Sequence, residues 1–162
     1  MMVEMHLVGV RVELPTNNPI VLLREAEGAN QVLPIFIGAV EATAIAFALQ
    51  GVVTQRPMTH DLMRDLLQAL GVRVERIEVT ELRDGTFYAE IVMRRDDDRV
   101  VRVSSRPSDA IALAARLGTP IYAAEAVLDE AGVPFVDEDE QEEEVEKFRE
   151  FLQNVDPEDF AS

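Results

Sequence analysis

A chain of 162 residues suits one domain with a buried core and an appended segment. It has no cysteine, which excludes disulfides, thiol nucleophiles and cysteine-ligated zinc, and no run of about 18 apolar residues that could cross a membrane as a helix. Its net charge of −16 looks hostile to nucleic acid, but the charge is uneven: Asp129 to Ser162 hold 14 acidic and 2 basic residues, leaving 17 acidic and 13 basic residues, all arginine, before them. Arginine carries a planar, permanent charge suited to phosphate or carboxylate.

Met1-Met2-Val3-Glu4 lacks the basic start and small-residue cleavage site of a secretory leader, so a soluble cytoplasmic protein is expected. Met2 to Leu14 reads as a strand whose apolar phase switches from Val3, Met5 and Leu7 to Val8, Val10 and Val12, which predicts a bulge near Gly9. After the turn Pro15 to Pro19 come two more strands, Ile20 to Arg24 and Val32 to Ile37, and Pro34 suggests an edge or a strand start in the latter. Ala39 to Gln50 is an alanine-rich helix, apolar on most sides and therefore expected to be buried, with Glu41 in its first turn and Gly51 closing it.

Arg56-Pro57-Met58-Thr59-His60-Asp61 leads into a helix ending at Leu70, with Thr59 as the expected cap and Gly71 as the stop. Val72 to Leu82 is a strand with another change of phase, and Asp84-Gly85 predicts a tight hairpin into the alternating strand Phe87 to Arg94. Arg99 to Ser104 completes a three-stranded meander. Arg106-Pro107-Ser108-Asp109 then opens a helix over Ala110 to Leu117, followed by a short strand at Pro120 to Ala123. The acidic run Asp137 to Glu144 predicts a solvated segment, and Val145, Phe148, Phe151, Leu152 and Val155 predict a short amphipathic helix after it. The whole reads as α+β, a mostly antiparallel sheet with three main helices, divided into a domain at 1–130 and an acidic linker with a C-terminal amphipathic helix at 131–162.

No P-loop, dinucleotide fingerprint, zinc-protease helix or serine elbow is present. The chemistry-bearing side chains gather instead at helix starts: Glu41, Arg56, His60, Asp61, Arg106, Ser108 and Asp109. Magnesium or manganese takes oxygen ligands and needs few carboxylates, so Glu41, Asp61 and Asp109 are the expected metal ligands if the fold joins them. His60 is the expected general acid or base, and Arg56, Arg106 and Ser108 the expected phosphate contacts. The bland alternative is structural. Early helical acids suit the helix dipole, and two arginines placed against it need an anion, which pairs such as Arg56 with Asp109 and Arg106 with Asp61 would supply without catalysis.

Four blocks in order, Leu33-Pro34-Ile35-Phe36-Ile37-Gly38 with Glu41-Ala42, Arg56 to Leu62, Gly85 to Ala89, and Arg106 to Leu113, resemble the bifunctional nuclease family of bacteria and plants. The resemblance covers about residues 3–130, and Phe148 to Phe160 is similar to the tail of bacterial members. It implies a metal-dependent hydrolase of phosphodiester bonds in DNA and RNA, and it points to the same polar blocks without giving any one residue a role. A non-catalytic interaction module built on the same fold is the competing expectation. A homo-oligomer, in its simplest form a dimer, is compatible with both.

Overall fold

The computed structural model describes residues 1–13, 15–28 and 30–135. Its elements are β1 (Met2–Glu13), β2 (Asn18–Glu25), β3 (Gln31–Phe36), α1 (Ala39–Gln50), α2 (Thr59–Ala69), β4 (Arg73–Arg83), β5 (Thr86–Arg94), β6 (Val100–Ser105), α3 (Pro107–Leu117), β7 (Ile121–Ala124), α4 (Glu125–Ala131) and β8 (Val133–Pro134). The strands form one sheet in the order β6-β5-β4-β7-β1-β2-β3-β8, antiparallel at every step except β4 to β7. The fold is α+β, as the grouping of strands and helices predicts.

Both changes of apolar phase are bulges. The register of β1 slips between Leu7 and Gly9 against β2, and that of β4 slips between Val74 and Arg76 against β5. At the β4–β5 hairpin, Asp84 and Gly85 take φ of 52° and 77°, the doubly positive geometry that Asp-Gly tolerates in a two-residue turn. Pro34 sits where β3 has no second neighbour, because β8 reaches only Gln31 and Val32.

Two antiparallel meanders, β1–β2–β3 and β4–β5–β6, are joined by β7. That strand lies antiparallel to Met2–Met5 and parallel to Ile77–Val79. Cross-strand register lines up Met5, Ile121, Ile77 and Ile91 on one face, all buried. Helices α1 and α3 cover this face, with α2 packed on α3.

The expected burial of α1 requires correction. Ala42, Ala44 and Ile45 are buried, but Val40 and Leu49 remain exposed, because only one side of the helix meets the core. The deeply buried helix is α3, whose run Ala110 to Ala114 lies between α1, α2 and the sheet. Its alanines permit close approach on several sides at once, while Ile111 and Leu113 fill the space beneath. Two short elements, α4 and β8, were not expected from the sequence, and β8 carries the sheet beyond residue 130.

No helix among the described residues is long and apolar enough to cross a membrane. The acidic run Asp137 to Glu144 and the amphipathic helix expected after it lie outside the described residues.

Ile111 is completely buried, so Ile111→Ala is expected to cost about 2–5 kcal/mol of stability by leaving a cavity that the packed alanines around it do not fill. Urea unfolding of the two proteins measures this directly. An unchanged midpoint would contradict the central place of α3.

Candidate functional site

Three helix N-termini converge through side chains. Asp109, in the first turn of α3, has both carboxylate oxygens engaged: Oδ1 is 2.9 Å from His60 Nε2, and Oδ2 accepts from Arg106 Nε at 2.9 Å. Since an ionised carboxylate only accepts, the imidazole N–H is the donor. Arg106 Nη2 donates to Glu41 Oε1 at 2.7 Å. One chain of contacts therefore runs from α1 through Glu41, Arg106 and Asp109 to His60 on α2. His60 is only 5% exposed.

This arrangement resolves the placement of Arg106 against the helix dipole. It is the N-cap residue of α3, followed by Pro107 at the position where a missing N–H costs nothing. Two carboxylates compensate its charge. The Glu41 carboxyl is held below the usual carboxylate range by its own backbone N–H and then by Arg106. It also lies against Gly38, where an added Cβ would come within 2.3 Å of Oε2. A side chain there would displace the carboxylate.

Asp61 goes elsewhere. Its Oδ1 accepts from Arg116 Nε at 2.6 Å and its Oδ2 from the backbone N–H of Met58 at 3.0 Å. Arg116 is 6% exposed and also donates to the Ala112 carbonyl, so this ion pair ties the start of α2 to the last turn of α3. The cap of α2 is Met58, with Asp61 bonding back to it, and Thr59 is already the first helical residue, which corrects the expected Thr59 cap. The Arg116 guanidinium, with help from Met58, lowers the Asp61 carboxyl against the opposing effect of burial.

The expected pairs of Arg56 with Asp109 and Arg106 with Asp61 are thus replaced by Arg106 with Glu41 and Asp109, and by Arg116 with Asp61. Arg56 is exposed. Its carbonyl accepts from the Thr54 hydroxyl, and its guanidinium forms no ion pair among the described residues. Arg116 was missed by sequence reasoning. Its only local signal is a basic residue in the last turn of a helix, where the dipole favours it.

In front of Arg106 lies an open cleft of about 480 Å³. Its walls are the end of β3 with the corner to Gly38, the tip of the β4–β5 hairpin at Gly85 to Phe87, and the start of α3 at Arg106 to Ser108. Three of the four resembling sequence blocks therefore meet at one surface. Ser108 is 5% exposed, and no buried side-chain nitrogen or oxygen among the described residues lacks a hydrogen-bond partner. Of the described side chains lining the cleft, Arg106 alone is charged.

Glu41, His60, Arg106 and Asp109 are brought together, Ser108 follows Arg106 in the cleft lining, Asp61 pairs with Arg116 instead, and Arg56 joins none of these contacts. Among the described residues no three His, Asp or Glu side chains converge as ligands for a metal ion. Glu41 and Asp109 approach one another only across the guanidinium they share. As arranged, Glu41, Asp61 and Asp109 do not fit a preformed cation site.

A model of the bifunctional nuclease domain matches residues 21–136. An uncharacterized protein of Mycobacterium tuberculosis is 50% identical over 166 aligned positions, covering 98% of each chain. Bifunctional nuclease 2 of Arabidopsis thaliana is 27% identical over 103 residues, which is 62% of this chain and 31% of the relative. Bifunctional nuclease 1 of Oryza sativa subsp. indica is 22% identical over 103 residues, with the same 62% and 31% coverage. The chain thus spans under a third of the length of these plant relatives.

Glu41 and Asp61 have folded pKa values below 4.5 and 3.8, so the stability they contribute is present above those values and is lost as pH falls through the lower folded ones. Arg116→Met removes the cation that lowers Asp61, and acid unfolding is expected to move to higher pH. At neutral pH the same change costs about 2–4 kcal/mol, since it leaves a partly buried carboxylate unpaired. Acid and urea titrations followed by circular dichroism test both parts. A neutral-pH loss with no shift of the acid transition would show that packing, not charge, is what Arg116 contributes.

Proposed function

Because the chain belongs to the bifunctional nuclease domain family, we propose that it hydrolyses phosphodiester bonds of DNA or RNA at the cleft in front of Arg106. The observation that carries this reading is the meeting of the β3–α1 corner, the hairpin tip and the α3 start around Arg106. Arg106 uses Nε and Nη2 on its carboxylates, and Nη1 makes no contact among the described residues. Nη1 is therefore available to a phosphate oxygen.

In this reading water attacks phosphorus, the bond to the departing sugar oxygen breaks, and the proton that the water loses is passed through solvent to that oxygen. Negative charge grows on the phosphoryl oxygens as this happens. A guanidinium already clamped on two edges stabilises that charge without first having to reorganise. Glu41 and Asp109 set its plane. His60 acts through Asp109 and is a positioning residue, and Asp61 with Arg116 holds α2 on α3. No step is routed through magnesium or manganese, since Glu41 and Asp109 already neutralise Arg106 and Asp61 is paired with Arg116. Activation by either ion, abolished by chelator and weakened in parallel by Glu41→Gln and Asp109→Asn, would restore a metal to the site.

A second reading, an interaction module that assembles with itself, is favoured by a separate observation. Leu62 and Leu66 on α2 and Leu70 at its C-cap follow one another at four-residue spacing and are 48%, 54% and 72% exposed, with Val53 nearby in sequence at 92%. An exposed stripe of this kind is an interface in the assembled form of many proteins, and it is compatible with catalysis. Leu66→Asp is expected to lower the mass measured by light scattering if a homo-oligomer uses this stripe. An unchanged mass removes the stripe from that role.

Arg106→Ala is expected to lower kcat/KM on an oligonucleotide by about 100- to 1,000-fold, the usual effect of deleting one preorganised donor. Full activity in this variant would overturn the site. Gly38→Ala is expected to move the Glu41 carboxylate off Arg106 and lower activity by about tenfold, with little change in the urea midpoint because a flexible side-chain end yields. Equal loss of stability and activity would instead mark Gly38 as structural.

A further inference from the structure

The cleft lies at one end of α1 and α3, and a second groove lies at the other. It has a volume of about 420 Å³ and runs between β1 at Met5 to Leu7, Leu49 near the end of α1, and the last turn of α3 with Pro120 leading into β7. Its lining is mostly apolar, and Leu49 is 48% exposed there. Strand β7 pairs with β1 only from Met2 to Met5, which leaves β1 uncovered by β7 at His6 and Leu7. We propose that this groove is the docking site of the chain's own C-terminal segment, residues 145–155, with Phe148 as the anchor.

The place where the described chain ends favours this occupant. The Phe135 N–H donates to the Asn30 carbonyl at 3.2 Å, and the Arg24 guanidinium lies 4.2 Å from the centre of the Phe135 ring. Arg24 is the register partner of His6, and His6 lines the groove. Neighbouring strands are about 4.8 Å apart, so the chain leaves within about two strand widths of the groove. Residues 136–144 span up to about 30 Å when extended, which is enough to bring Val145 there.

Pattern and charge point to the same surface. Val145, Phe148, Leu152 and Val155 recur at three- and four-residue intervals, the spacing of an apolar helical stripe. A helix shorter than about 12–15 residues is marginal in water, so a stripe this short needs an apolar surface to rest on. Lys147 and Arg149, the two basic residues beyond Asp129, flank Phe148. The groove lies where α1 and α3 end, at Gly51 and Gly118, and terminal carbonyls there favour cations. Helix α1 has no basic residue of its own in its last turn. Glu4 adds an exposed carboxylate to the lining and forms no ion pair among the described residues. Leu49 is roughly 16 Å along α1 from Gly38, so a segment docked here leaves the cleft in front of Arg106 open.

Hydrogen exchange of the full chain, followed by mass spectrometry, reads the docking without reference to cleavage. Amides of residues 145–155 are expected to exchange at least about tenfold more slowly than an unstructured peptide of that sequence, at a rate independent of protein concentration. Phe148→Asp is expected to return them to the peptide rate. In the groove, Leu49→Asp is expected to lower the protection by about fivefold or more and Glu4→Lys by about threefold, both at exposed positions. Leu66→Asp, on the exposed stripe of α2, is expected to leave it unaltered. Peptide-like exchange in the unmodified chain overturns the inference, as does protection that survives Leu49→Asp or Glu4→Lys, or that is lost in Leu66→Asp. Protection that rises with protein concentration would assign the groove to the tail of a second copy and overturn docking within one chain.

Discussion

Asp109 has two carboxylate oxygens and places them on two helices' business at once, one on the His60 imidazole of α2 and one on the Arg106 guanidinium that opens its own helix. Through Arg106 the contact extends to Glu41 of α1. Three helix starts are therefore held at one point by charge-assisted bonds between 2.7 and 2.9 Å, which are stronger and more directional than neutral ones. The cleft wall formed by the start of α3 depends on this point, because Arg106 lies between the two carboxylates and the open space. Packing alone would hold α3 against the sheet but would leave the guanidinium free to turn.

The sheet supplies the other half of the constraint. The β3–α1 corner and the β4–β5 hairpin belong to different meanders, and they face one cleft because β7 joins the meanders edge to edge. Strand β7 reaches its position through α3, which starts at the cleft as Arg106 and is buried along its middle. The element that presents the arginine also carries the chain into the gap between the two meanders. A shift of α3 would therefore disturb the site and the sheet together, whereas the Asp61–Arg116 pair at the far end of that helix resists such a shift.

The charge of the chain takes on a different meaning once it is placed. The domain is mildly acidic overall, yet two of its carboxylates are spent on orienting Arg106, and a third neutralises Arg116. What lines the cleft among the described residues is one cation, Arg106, the polar residues Asn18, Thr86 and Ser108, and apolar surface that includes Phe36 and Phe87.

Local pattern in the sequence determined a large part of this protein. The two meanders, the bulge near Gly9, the Asp84-Gly85 hairpin, the three main helices and the α+β class all follow from periods of two and 3.6 and from turn chemistry, which depend on near neighbours. The polar helix starts were legible for the same reason, and four of their residues, Glu41, His60, Arg106 and Asp109, do meet. Which charge met which was decided only by tertiary structure. Glu41 and Arg106 are 65 residues apart, His60 and Asp109 are 49 apart, and Asp61 and Arg116 are 55 apart, so their contacts depend on how each helix is rotated in the packed core. The parallel insertion of β7, the exposure of Val40 on α1 and the burial of Ser108 are settled by the same packing. They depend on what lies opposite each residue in space, which spacing along the chain does not encode.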